Sequence, residues 1–121
     1  MNGAVVQEIL EADIVRVAPQ GRLDTFSVPP FEQVLTEHLD AGRARLIVDL
    51  AGVTYVSSSG LRALLSARRR ARTAGGDVAL CSMAQRVREI FEMVGFISLF
   101  NVYPTADEAI RSVREGIPPG A

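Results

Sequence analysis

An α/β fold is predicted for this 121-residue chain: a single domain with a mixed sheet of four to five strands and about four helices packed mainly on one face. Three observations carry the prediction. Two β-prone runs, Val5 to Leu10 and Ile14 to Ala18, are separated only by Glu11-Ala12-Asp13 and suit an adjacent strand pair. After them, strand-like apolar runs alternate with segments of helical period, the pattern of βα units. Hydrophobic residues make up 48% and charged residues 22%, and a chain of this length buries a core without disulfides or metals.

The elements follow in order. Pro19-Gln20-Gly21 breaks the second strand, and Gly21-Arg22-Leu23-Asp24 is expected to turn. A helix opening at Pro29-Pro30 sets Phe31, Val34, Leu35 and Leu39 on one face and stops at Gly42. Leu46-Ile47-Val48-Asp49-Leu50 is continuously apolar rather than alternating but for Asp49, so it reads as a central strand covered on both faces. A helix from Gly60 to about Thr73 turns Leu61, Leu64, Leu65, Ala67 and Ala71 inward, carries Arg62, Arg69 and Arg70 outward, and ends at Gly75-Gly76. Val78 to Cys81 is a second buried strand. Val87, Ile90, Phe91 and Val94 then keep helical spacing before Gly95. A short strand near Phe100 to Val102 precedes Thr105-Ala106-Asp107-Glu108, a capping box opening a last helix with Ile110 and Val113. The single domain spans 1–121, with its core at about 5–113 and a flexible tail at 114–121.

Composition narrows the function classes. A lone cysteine, Cys81, leaves no intrachain disulfide and no cysteine-rich metal cage, and a small buried hydrophobe is its expected role. No apolar run approaches the ~20 residues of a membrane span, and the first residues lack a secretory signal pattern, so a cytoplasmic, non-membrane protein is expected. A net charge of −1 gives no electrostatic reason to expect nucleic acid. His38, beside Glu37 and Asp40, reads as a solvated or partly buried helix residue without a catalytic role.

The informative segment is Asp49 to Leu61, where a strand and a short connection lead into Ser57-Ser58-Ser59-Gly60 at a helix start. One serine is explained as an N-cap accepting a hydrogen bond from an orphan backbone N–H. Three in a row exceed that need. The free N–H groups and positive dipole end of a helix can also hold a phosphate, and a phosphoserine there adds about −1.5 to −2 charges, enough to disrupt a partner contact. Rival chemistries lack parts: Gly60 is not followed by the Lys-Ser/Thr of a phosphate-cradling loop. Ser59-Gly60 is not Gly-x-Ser-x-Gly, and one histidine supplies no triad.

The serine segment, with Gly21-Arg22-Leu23-Asp24 upstream and Val94-Gly95-Phe96 downstream, resembles the STAS domain of the bacterial anti-sigma factor antagonists over roughly Val5 to Val113. The resemblance implies a non-enzymatic switch. The unphosphorylated antagonist binds an anti-sigma factor that is often itself a serine kinase, a sigma factor is released, and phosphorylation of a loop serine ends the binding until a serine phosphatase resets it. By motif position the phosphoacceptor is Ser58, with Ser57 and Ser59 as alternatives. Asp24, Ser57, Ser58, Ser59, Gly60, Leu61 and Arg62 form the implied partner contact. Ser57 stands where many members carry an aspartate. No cofactor is expected, because ATP would belong to the partner kinase, and nucleic acid and membrane are not implied as direct partners. The alternative is an unphosphorylated STAS adaptor or scaffold in a signalling or transport assembly. The arginine-bearing helix face reads as solvated surface, or else as a basic face steering an acidic partner.

Overall fold

The computed structural model describes residues 5–11 and 13–116. Its elements are β1 (Val5–Ile9), β2 (Ile14–Pro19), β3 (Gly21–Leu23), α1 (Val28–Asp40), β4 (Arg45–Asp49), β5 (Val53–Val56), α2 (Ser58–Thr73), β6 (Asp77–Cys81), α3 (Gln85–Met93), β7 (Asn101–Tyr103) and α4 (Ala106–Glu115), with a 3-10 turn at Ile97–Leu99. The main sheet has the order β1-β2-β4-β6-β7. β1 and β2 pair antiparallel, Val5 opposite Pro19, and the remaining neighbours are parallel. The sheet is mixed, as expected.

Both faces of the central strands are covered, which is why their apolar runs are continuous. Leu46, Val48, Val78 and Leu80 pack in a large core with Phe31 and Leu35 of α1, Leu61, Leu64, Ala67 and Ala71 of α2, and Val87 and Phe91 of α3. Phe91 meets Phe100 edge-on, with centroids 6.2 Å apart. On the other face Ile14, Ile47, Ala79 and the free thiol Cys81 meet Ala109 of α4. Burial, then the charge of Asp49, pushes that thiol's pKa up to about 11. The helices thus lie three on one face and one on the other.

Several boundaries differ from the sequence expectation. Gly21–Leu23 is a strand rather than a turn. It pairs in parallel with β5 in a separate two-stranded sheet, with an irregularity after Gly21. Three residues without apolar alternation carry no strand signal of their own, and the partner β5 supplies the hydrogen bonds. α2 begins at Ser58 rather than Gly60, because Ser57 is the cap. α3 ends at Met93, and Val94, expected inward, is its C-cap and 48% exposed. The Thr105 cap forms as expected, its hydroxyl accepting the Glu108 N–H. α4 continues through Arg114 and Glu115 to Gly116 in the left-handed conformation, two residues into the segment expected as tail. The rest of that segment, 117–121, lies outside the described residues.

Two polar connections span the core. Arg16 of β2 donates from Nε and Nη2 to Oδ2 of the buried Asp49, at 2.9 and 2.7 Å, while Oδ1 accepts the Ala51 N–H at 3.0 Å. His38 is buried too, more fully than its polar helix neighbours imply. Its Nδ1 accepts from Arg43 Nε at 2.9 Å, so the ring proton sits on Nε2, which donates to Gln7 Oε1 at 2.6 Å.

Candidate functional site

The serine turn sits where the small sheet meets α2. β5 delivers Val56 into the core, and Ser57 leaves the strand in extended conformation, its N–H donating to Leu23 O at 2.9 Å. That bond holds the end of β3 against the start of α2. Ser57 Oγ accepts the Gly60 N–H at 3.4 Å, and the Leu61 N–H donates to Ser57 O at 2.9 Å. The N-cap role is therefore filled by Ser57.

The other two serines divide. Ser59 Oγ lies 2.8 Å from Ser57 Oγ and 3.5 Å from Thr25 Oγ1, so its hydroxyl is engaged on both sides. Ser58 is the first helical residue, is exposed, and makes no side-chain hydrogen bond among the described residues. It is the one hydroxyl of the three presented outward without an internal partner.

Gly60 and Leu61 lie beneath the turn rather than on it. A Cβ on Gly60 would stand 2.9 Å from Leu23 O and 2.9 Å from Val56 Cγ1, so glycine is needed for the close approach of β3 to α2. Leu61 points into the core and is 6% exposed, which leaves its side chain no surface to offer a partner. Arg62, one helical turn beyond Ser58, is exposed, with no bond or ion pair among the described residues. Farther along α2, Arg70 pairs with Asp40 of α1, and Arg72 and Arg68 with Asp77. Much of the basic face is therefore tied into the fold.

Asp24 follows β3 directly. Its Oδ1 accepts the N–H groups of Phe26 and Ser27 at 3.0 and 3.2 Å, a local turn closed by the side chain. Burial works against its charge, but those two N–H groups and Arg22 nearby outweigh it, and the carboxyl sits below the usual aspartate range. Ser27 locks the same loop, its Oγ donating to Arg22 O at 2.6 Å and accepting the Asp24 N–H at 2.9 Å. Asp24 makes no direct bond to the serines. Its neighbours do, Leu23 to Ser57 and Thr25 to Ser59.

Sequence reasoning missed three residues here. Thr25 binds Ser59 across 34 positions. Arg22 lies over the Tyr55 ring at 4.3 Å and ties β3 to β5. Phe26 is 90% exposed. The sole signal in the sequence is position: Arg22 lies within the Gly-x-Leu-Asp segment, and Thr25 and Phe26 directly follow it.

Ser58 stands at the exposed surface of the turn, with Ser57 and Ser59 half-buried beside it. A cavity of about 230 Å³ lies elsewhere, lined by Arg45, Asp77, Asn101, Tyr103 and Val113. No cluster of three or more histidine, cysteine, aspartate or glutamate side chains suited to a metal occurs among the described residues. The sole histidine is bound to Gln7 and Arg43 rather than to a serine. Among the described residues no helix is long and apolar enough to cross a membrane.

Comparison with known proteins gives a consistent picture. Residues 6–109 match the STAS domain. A Bordetella bronchiseptica protein that carries the name anti-sigma factor antagonist BtrV is 32% identical over 99 residues, covering 82% of this chain and 85% of that protein. An anti-sigma-B factor antagonist of Staphylococcus epidermidis is 26% identical over 97 residues, 80% of this chain and 90% of its own. Among solved structures, the unphosphorylated form of the anti-sigma factor antagonist SpoIIAA superposes with a TM-score of 0.81 at 23% identity, covering 93% of this chain and 97% of that one. The phosphorylated form of the Bacillus protein gives 0.73 at 22% identity, covering 92% and 100%.

Proposed function

The chain belongs to the STAS domain family, and on that premise we propose that it is an anti-sigma factor antagonist switched by phosphorylation of Ser58. Unphosphorylated, it binds an anti-sigma factor that is a serine kinase and so frees a sigma factor. The kinase brings ATP, transfers phosphate to Ser58, and a serine phosphatase restores the binding form. The chain itself performs no catalysis.

The observation that carries this reading is the state of the three hydroxyls. Ser57 is committed to the cap and Ser59 to Ser57 and Thr25, whereas Ser58 is exposed and unbonded. A kinase needs an acceptor oxygen it can reach without unfolding the turn. Phosphate on Ser58 would add about −1.5 to −2 charges at a helix N-terminus, where the dipole tolerates them, so the fold survives while a desolvated partner contact does not. That two relatives are named antagonists, and that SpoIIAA is described in phosphorylated and unphosphorylated forms, supports the same assignment. Asp24, Ser57, Ser59 and Arg62 frame the contact, with Gly60 and Leu61 supporting it from below.

The test pairs phosphorylation with binding. Purified chain is incubated with the serine-kinase anti-sigma factor of the same genome and ATP, and phosphate is mapped by mass spectrometry. Phosphate is expected on Ser58 and absent from Ser58→Ala. Ser58→Ala should bind the anti-sigma factor as the unmodified chain does, and Ser58→Glu should lose at least tenfold in affinity. Phosphate confined to another residue, or full binding by Ser58→Glu, overturns the switch.

A further inference from the structure

Of the five phenylalanines, Phe31 and Phe91 are fully buried, Phe100 is 7% exposed and Phe96 packs against the core, whereas Phe26 is 90% exposed. Single exposed apolar residues are ordinary on protein surfaces, so exposure alone decides nothing. What sets Phe26 apart is how firmly its backbone is held and what it stands beside.

Its N–H is bonded to Asp24 Oδ1. The preceding residue, Thr25, contacts Ser59. The following residue, Ser27, is buried, with its hydroxyl bonded to Arg22 O and to the Asp24 N–H. After it come Val28, buried in the core, and two prolines that fix the first turn of α1. The ring therefore projects from a backbone restrained on both sides, and only two side-chain torsions remain to be frozen on docking. That is a small entropic cost for a large apolar area.

Resting on the phospho-switch reading, we propose that Phe26 is the apolar anchor of the anti-sigma contact, inserting into a hydrophobic pocket of that protein while the Ser58 face is sealed against it. Continuity is the ground for choosing this occupant. Phe26 and the serine turn are joined by the Thr25–Ser59 contact and by the Leu23–Ser57 bond, so a partner surface seated on Ser58 extends onto Phe26. Desolvated aromatic residues near an interface centre carry a large share of binding energy. The proposal also gives the phosphate a physical point of action. A doubly charged group beside the anchor keeps water at the rim of the pocket, and the ring is not buried.

Affinity for the purified anti-sigma factor is compared between the unmodified chain, Phe26→Ala, Phe26→Leu and the control Val6→Ala. Val6 is also exposed, at 52%, but sits on edge strand β1 pointing away from the face that α1 and α2 cover, since its neighbour Val5 packs against their core. The expected result is a loss of tenfold or more for Phe26→Ala, equal to about 1.4 kcal/mol or more, a smaller loss for Phe26→Leu, and no change for Val6→Ala. The thermal melt of Phe26→Ala should stay that of the parent chain. Parent-like binding by Phe26→Ala overturns the anchor while leaving the switch in place. Failure of the unmodified chain to bind overturns the switch, and the anchor with it.

Discussion

Three adjacent serines behave differently because each occupies a different position relative to a helix end. Ser57 has extended backbone and caps; Ser59 lies within reach of both Ser57 and Thr25; Ser58 points out. Gly60 enforces that arrangement by letting β3 approach α2. Gly60→Ala gains up to about 1 kcal/mol of helix propensity but pushes a methyl into the Leu23 carbonyl and Val56, an overpacking cost of about 1–3 kcal/mol. The expected outcome is a lower urea midpoint with an unchanged m-value. A raised midpoint would show that the close contact relaxes at little cost.

The elements are coupled by polar groups that the apolar pattern does not describe. Arg16 and Asp49 join the third residue of β2 to the last of β4, and Asp49 also fixes the turn toward β5 through the Ala51 N–H. This places the start of the segment that ends in the serine turn. Asp49→Ala leaves the partly exposed Arg16 guanidinium with Glu8 alone at 3.9 Å and strands the Ala51 N–H, at an expected cost of about 1–3 kcal/mol in chemical denaturation. Replacing both partners, Arg16→Leu with Asp49→Leu, should recover the part of that loss that comes from the guanidinium, while the Ala51 N–H stays without its acceptor. Equal destabilisation in the single and double variants would argue that the site matters for shape alone.

At the scale of the molecule, His38 binds helix α1 to edge strand β1 through Gln7 and to the following loop through Arg43. Burial first, then the Arg43 charge, lowers its pKa despite the opposing Glu37. A histidine that takes up its proton less readily when folded than when unfolded makes stability pH-dependent. Its full contribution is present above the unfolded value of about 6.5, and is lost progressively as pH falls below that value toward the folded one. Urea midpoints should therefore be level from pH 8 to 7 and decline as pH falls below about 6.5. In His38→Gln this decline should flatten. The carboxyls of Asp13, paired with Arg45, and Asp24 are shifted downward and titrate below that window, which separates the two effects.

Much of this molecule is legible in its amino-acid sequence. Continuous apolar runs at 46–48 and 78–81 mark the central strands, and helical spacing identifies the buried faces of α1, α2 and α3. Thr105-Ala106-Asp107-Glu108 marks the start of α4. Such signals are local: burial and capping leave a period or a short motif in neighbouring residues. The serine turn is also visible as a segment, and its resemblance points to Ser58. What tertiary structure alone decided is which hydroxyl is free, that Gly21–Leu23 is a strand, that His38 is buried and that Phe26 is not. The first three depend on partners far along the chain, Thr25 with Ser59, β3 with β5, Gln7 with His38. A hydroxyl or a three-residue strand carries no pattern announcing such a partner, so its role is settled only when folding brings the two together.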